Sequence, residues 1–173
     1  MVSPDRLSQL FKAYHTPLVR FLTRRLGDRD SAEEIAQETF VRALRQDVIT
    51  SDRSWLFAVA SNLVRDEARR DARARKRLDV MKAHADADAA SAEPEPTSME
   101  RAEEQALARQ AIEMLAERDR DALLMREEGL GYEEIAEALD LSVASVGTTL
   151  SRARRRLMEA YETLQAERSA ERA

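Results

Sequence analysis

The stretch GLGYEEIAEALDLSVASVGTTLSRARRRL, residues 129–157, constrains the fold of this chain more than any other. Its apolar residues recur at helical spacing. Ile135, Ala136 and Leu139 share one face of a helix predicted over about Tyr132 to Leu139, and Val146, Leu150, Ala153 and Leu157 form the stripe of a second helix. Between them Asp140 stands where the chain must reverse, and Asp is among the few non-glycine residues that tolerate a left-handed backbone. Ser142 is placed to cap the second helix, its hydroxyl available to the orphan amides of the first turn. Ser145, Thr148, Thr149, Arg152, Arg155 and Arg156 are predicted to face away from the apolar stripe. Any two amphipathic helices joined by a tight turn share part of this pattern. The small Ala136, the turn and the cationic end at fixed offsets favour a helix-turn-helix whose second helix enters a DNA major groove.

The remaining composition is helical too. Charged residues make up 35% of the 173, aromatics 5%, and Gly and Pro number four each, with no alternating β-branched run. There is no Cys, which excludes a disulfide framework, a Cys-based zinc site and a thiol nucleophile, and His15 and His84 are far apart. No metal and no cofactor are expected. The longest apolar run, Trp55 to Ala60, is too short to span a bilayer, and the N-terminus lacks an apolar signal core. The expectation is a soluble, cytoplasmic protein with no membrane insertion. No Gly-rich phosphate loop, Ser/His/Asp set or metal-spaced cluster points to an enzyme.

The formal net charge of −5 conceals an uneven distribution. Residues 65–78 hold seven basic side chains against three acidic ones, whereas residues 79–104 hold eight acidic against two basic. A local basic stripe binds phosphates whatever the total charge. An acidic whole binds DNA poorly unaided, which hints at a basic partner.

Taken in order, Asp5 to Leu26 carries Leu7, Leu10, Phe11, Tyr14, Leu18, Phe21, Leu22 and Leu26 on one helical face. Pro17 predicts a kink or a restart there, with Thr16 as the new cap. A second helix is predicted to open at Asp30 or Ser31, each with Glu three residues on. It would bury Ala32, Ile35, Ala36, Phe40, Ala43 and Leu44 and leave Glu34, Gln37, Glu38, Val41, Arg42 and Arg45 free. A third helix, capped by Ser54, begins with apolar Trp55, Leu56, Val59, Ala60, Leu63 and Val64 and continues as a cationic rod. A polyanion is the usual reason for such a rod. Asn62 is the polar exception in the apolar half, with an amide suited to a base edge. Residues 79–99 are too poor in large apolar side chains to order themselves, and Pro94 and Pro96 forbid a helix. A helix carrying Ala106, Leu107, Ile112 and Leu115, and another over about Asp119 to Glu128, precede the helix-turn-helix.

The fold class is therefore all-α: two small helical domains joined by a flexible acidic linker, the C-terminal one containing the helix-turn-helix. The boundaries read as 1–78, 79–99 for the linker, 100–165, and a frayed tail at 166–173. At this point the residues resemble a known family. DRDSAEEIAQETFVRAL resembles the second-helix signature, SWLFAVASNLVRDEARR the minus-ten helix, and LAERDRDALLMREEGLGYEEIAEALDLSVASVGTTLSRARRRL the C-terminal domain, of the extracytoplasmic-function (ECF) sigma factors of bacterial RNA polymerase. The resemblance covers about Leu7 to Arg77 and Glu103 to Leu164.

The resemblance implies a bipartite promoter-recognition factor. Gln37, Glu38 and Arg42 would dock on the clamp helices of core RNA polymerase, whose flap would receive the second domain. Asn62, Arg65, Arg69 and Arg70 would lie against the minus-ten element of promoter DNA as it melts. Tyr132, Ser145, Thr148, Thr149, Arg152 and Arg156 would face the minus-thirty-five duplex, and an anti-sigma factor is a further implied partner. Polymerase would supply the effective concentration that lets two weak sites act together. Five positions depart from the family. Gly147, Thr148 and Thr149 replace its Lys/Arg–Ser–Arg, Ala116 replaces a common Pro, and Ser61 a common Arg. Two rivals remain at the level of sequence: a DNA-binding regulator using the helix-turn-helix alone, and a sigma mimic that sequesters an anti-sigma protein. Neither gives the basic clusters at Arg65–Arg77 and Arg152–Arg156 a combined role.

Overall fold

Helix starts and stops in this chain are set by a few short side chains. In the computed structural model, which describes residues 1–79 and 99–171, Ser3 caps the first helix by accepting from the Arg6 amide, and Gly27 ends it at φ 77°. That helix, α1 (Pro4–Leu26), is continuous. The predicted break at Pro17 does not occur. Pro17 removes one amide donor, but Leu10, Leu18, Phe21 and Leu22 are buried on both sides of it and hold the two halves on one core. Asp28, not Asp30 or Ser31, caps α2 (Arg29–Leu44). It follows Gly27 directly, and its carboxylate accepts from the Ser31 amide at 2.8 Å. The Ser31 side chain, and then its amide, hold the Asp28 carboxyl below the usual range.

Helix α3 (Asp52–Asp79) also starts before its predicted cap, because the Trp55 amide already bonds the Ser51 carbonyl at 2.9 Å. Ser54 lies inside the helix and is buried. Leu56, Phe57, Ala60, Leu63 and Val64 enter the core, and every side chain from 66 to 77 is exposed. The predicted linker falls almost wholly on residues 80–98, which lie outside the described residues.

Beyond it come α4 (Met99–Glu113), α5 (Glu117–Glu127), α6 (Tyr132–Leu139) and α7 (Val143–Glu171). No strand occurs among the described residues. At the α4–α5 turn Arg120 donates to the Leu115 carbonyl at 3.0 Å and to that of Glu113, so a side chain fixes a turn where the family commonly has Pro. Between α6 and α7 Asp140 adopts the left-handed conformation (φ 53°, ψ 53°), and the Ser142 hydroxyl accepts from the Ser145 amide at 3.3 Å. Both features match the expectation. Helix α7 passes the point near residue 165 where fraying is predicted. Arg168, near its end, forms an ion pair with Glu103 on α4, which ties the last turns down.

Helices α1, α2 and α3 pack on one another, as do α4 to α7, and the pairs α1–α5 and α3–α6 join the two groups. One apolar core consequently runs from Leu10 and Phe21 through Phe57 to Met125, Ile135 and Leu150, with Leu115, Leu123 and Ala153 as a smaller cluster beside α7.

Gly147 sits within α7 at no special backbone angle, and a Cβ there would meet Tyr132 Cε2 at 3.6 Å, an ordinary contact. Nothing steric requires glycine. Gly147→Ala should therefore stabilise the fold by about 1 kcal/mol, read as a higher urea midpoint at unchanged m-value.

Candidate nucleic-acid interface

The surface of α7 is built on a carboxylate from another helix. Asp119, in the first turn of α5, is buried, and its oxygens receive Arg152 Nε at 3.2 and 3.0 Å and Arg156 Nη1 at 3.1 Å. Arg152 Nη2 closes the fork. The bonds from Arg152 hold the Asp119 carboxyl below its ordinary range. Two of the cations assigned to the minus-thirty-five face are thus pinned in place and partly neutralised. They remain half-exposed at 37% and 49%, able to reach a phosphate from one side. Arg154 and Arg155 on the same segment are exposed.

The other residues proposed for this face divide. Tyr132 is exposed, with the Arg126 guanidinium 5.6 Å from its ring centre, and Thr148 is exposed. Ser145 is half-buried, and its hydroxyl donates to the Ser142 carbonyl at 2.8 Å. Thr149 does not face away from the apolar stripe as predicted. It is buried, adjoining Leu150 on the inner side of the helix. Its Cβ direction lies three residues from Val146 and four from Ala153, both core positions.

Of the four α3 residues proposed for the minus-ten side, Asn62, Arg69 and Arg70 are exposed and Arg65 is half-buried. Asn62 is exposed, and its Oδ1 accepts from Arg65 Nη2 at 2.9 Å, while Arg65 Nε bonds the Ser61 carbonyl at 3.3 Å. Arg69 lies 3.8 Å from Asp66, and Arg70 is exposed without an ion pair among the described residues. On α2 Gln37 is exposed and Glu38 pairs with Arg42 at 3.0 Å, with exposed Val41 beside them. This is a mixed polar-apolar helix face of the kind that protein partners cover. The three sets lie on separate helices and are not brought together into one pocket. Among the described residues no group of His, Asp or Glu could hold a metal ion, and no helix is long and apolar enough to cross a membrane.

Asp119 was not legible as a site residue, since its partners lie 33 and 37 positions away. Its removal should act on α7 before it acts on DNA. Asp119→Asn should cost about 1.5–3 kcal/mol at pH 7, the range for hydrogen bonds to charged groups. Because the folded carboxyl titrates below the unfolded value near 4, this contribution is complete above that pH and is lost as pH falls through the folded value. The gap between wild type and variant, measured by urea unfolding at a series of pH values, should therefore narrow below about pH 4.

Comparison with known proteins identifies the family. Residues 10–74 match the family model for sigma-70 region 2, and residues 105–157 that for sigma-70, region 4. The chain is 31% identical over 155 residues to the RNA polymerase sigma factor YlaC of Bacillus subtilis, covering 87% of this chain and 88% of the relative. It is 31% identical over 148 residues to the ECF RNA polymerase sigma factor SigL of Mycobacterium tuberculosis, covering 83% and 80%. The ferric citrate uptake sigma factor FecI of Escherichia coli is 29% identical over 148 residues, covering 83% and 84%. A solved structure of the sigma factor RpoE from Bartonella quintana, in complex with the anti-sigma factor NepR, shares the fold at a TM-score of 0.63 and 21% identity, covering 91% of this chain and 95% of that one. With region 2 on α1–α3 and region 4 on α4–α7, this chain belongs to the ECF family of RNA polymerase sigma factors.

Proposed function

We infer that the protein is an alternative sigma factor that binds core RNA polymerase and directs it to specific promoters. It recognises and helps to melt the minus-ten element and binds the minus-thirty-five element. One observation supports this above the rest: α3 leaves an apolar core and continues as a rod whose side chains are all exposed from 66 to 77, in the region that matches sigma region 2. A regulator that used the helix-turn-helix alone would have no use for that rod.

In this reading residues 1–78 dock on polymerase and meet the minus-ten element, 79–99 form the linker, and 100–165 meet the minus-thirty-five duplex. Gln37, Glu38 and Arg42 engage the clamp helices, and the second domain meets the flap. Asn62 donates to a base edge while Arg65, which holds the Asn62 oxygen, keeps the amide facing outward. Arg69 and Arg70 meet phosphates. Unstacking a base costs a few kcal/mol, so melting is reasonable only where such contacts receive the opened strand. Tyr132, Thr148, Arg152 and Arg156 face the minus-thirty-five duplex, with Ser145 at the entry of α7. Thr149 supports that face from within. The protein acts in the cytoplasm, performs no chemistry of its own and needs no cofactor. An anti-sigma factor is proposed as a further partner, as in the solved relative.

Run-off transcription with core RNA polymerase on a pool of promoter fragments tests the reading. Transcripts should start at a defined set of promoters with the protein and not without it. Asn62→Ala and Arg65→Ala should each reduce them by about 5- to 150-fold, the loss of about 1–3 kcal/mol of discrimination per specific contact. Duplex binding without polymerase, and no transcripts, would point to a regulator.

A further inference from the structure

The recognition helix α7 changes character along its length. From Leu141 to Ser151 the chain carries no charged side chain, whereas four of the five residues from Arg152 to Arg156 are arginines. The uncharged turns come first, and in a helix-turn-helix the first turns of the second helix are the ones that reach base edges. Their outward residues are Val143, 49% exposed, with Ala144, Thr148 and Ser151, all exposed. Ala144, Thr148 and Ser151 follow one another at helical spacing, and Val143 and Gly147 form the row beside them. Gly147 adds no side chain to that row. The place a Cβ would take there lies 3.6 Å from Tyr132 Cε2, so the exposed ring of Tyr132 borders the helix backbone instead.

The cations bordering these turns are engaged with protein groups. Arg126 donates to the Leu130 carbonyl at 2.8 Å, with its guanidinium 5.6 Å from the Tyr132 ring centre. Arg152 has both Nε and Nη2 on the buried Asp119 carboxylate. Reading a guanine takes two N–H groups of one guanidinium side by side, and Asp119 already occupies the pair along one edge of Arg152. Arg156 gives Nη1 to the same carboxylate. What the first turns offer to the bases is methyl surface and hydroxyls. The base-pair group that apolar surface recognises in the major groove is the thymine C5-methyl.

We propose that the uncharged turns of α7 select A·T pairs in the minus-thirty-five element through thymine methyl groups, met by Val143, Ala144 and the Thr148 methyl, while the arginines that follow hold phosphates. The missing side chain at Gly147 lets the backbone approach the bases more closely than a long cation there would allow. The inference deepens the sigma-factor reading above and rests on it for the identity of the duplex.

Holoenzyme made from core RNA polymerase and the full chain is used to select duplexes from a promoter pool randomised over the minus-thirty-five region. The selected sequences should be fixed as A·T pairs where α7 enters the groove, with no demand for guanine at those positions. Replacing the thymines of a selected duplex one at a time by deoxyuridine removes only the methyl group. At contacted positions this should weaken holoenzyme binding about fourfold, the worth of one buried methyl. Thr148→Ser keeps the hydroxyl and deletes the methyl. It should weaken binding to the thymine duplex and abolish the deoxyuridine penalty at one position, and Val143→Ala should do the same at another. Selection of guanine by the wild type, or deoxyuridine duplexes bound as tightly as their thymine parents, would overturn the proposal. So would a Thr148→Ser penalty that is equal on both duplexes. If the chain binds no polymerase, the sigma-factor reading falls, and the selection and deoxyuridine series repeated with the full chain alone at low salt decide the methyl contacts by themselves. Failure to bind any duplex there would overturn those contacts as well.

Discussion

An apolar core shared between two helical units is the constraint on which the other features depend. Each unit is small, and small helical units bury too little of their own surface to be strongly stable alone. Phe21 stacks obliquely against Phe57 at 5.1 Å in the first unit, and the same core continues into Met125, Leu130 and Ile135 of the second. The carboxylates of Asp121 and Glu128 lie at the edge of this core. Burial pushes the Asp121 carboxyl up while the nearby Arg25 opposes the shift. The same packing thus places ionised groups where charge is dear and obliges arginines to come across the seam. Apolar burial gives the seam its strength, and the ion pairs give it its register.

Electrostatics also reconcile an acidic protein with a nucleic-acid role. Charges that matter for structure are spent locally: Arg152 and Arg156 on Asp119, Arg20 and Arg24 on Glu128, Arg25 on Asp121. Charges on the far half of α3 are not spent in this way, and Arg70 stands free among the described residues. A net charge sums both classes and so describes neither. The position of each arginine relative to a buried carboxylate decides whether it can approach a phosphate.

Much of this was legible in the sequence, and the exceptions have physical causes. The α6–α7 turn was readable because Asp140 and Ser142 act on their own neighbours in the chain. The exposed cationic half of α3 was readable because the composition changes abruptly after Val64. The caps of α2 and α3 were misplaced by two or three residues, since several adjacent Asp and Ser side chains compete for the same role and only tertiary packing selects one. Pro17 was read as a break because local cost was weighed without the burial of Leu18, Phe21 and Leu22 on its far side. Thr149 was read as outward because a hydroxyl marks a polar face in sequence, while its angular position belongs to the core. Asp119, Asp121 and Glu128 could be seen only as ordinary helix-start or helix-end charges. Their partners are 33 or more residues away, a distance at which periodicity carries no information.

Helix α7 is one uninterrupted rod of 29 residues, about 43 Å long at 1.5 Å per residue. The turns proposed to face the promoter lie near one end and Arg168, clasped to Glu103 in the first turns of α4, near the other. Helix α4 therefore begins at the end of the rod remote from those turns. A shift at the Glu103–Arg168 end is therefore carried by a rigid helix to the turns around Thr148, over about 30 Å, the span of twenty helical residues.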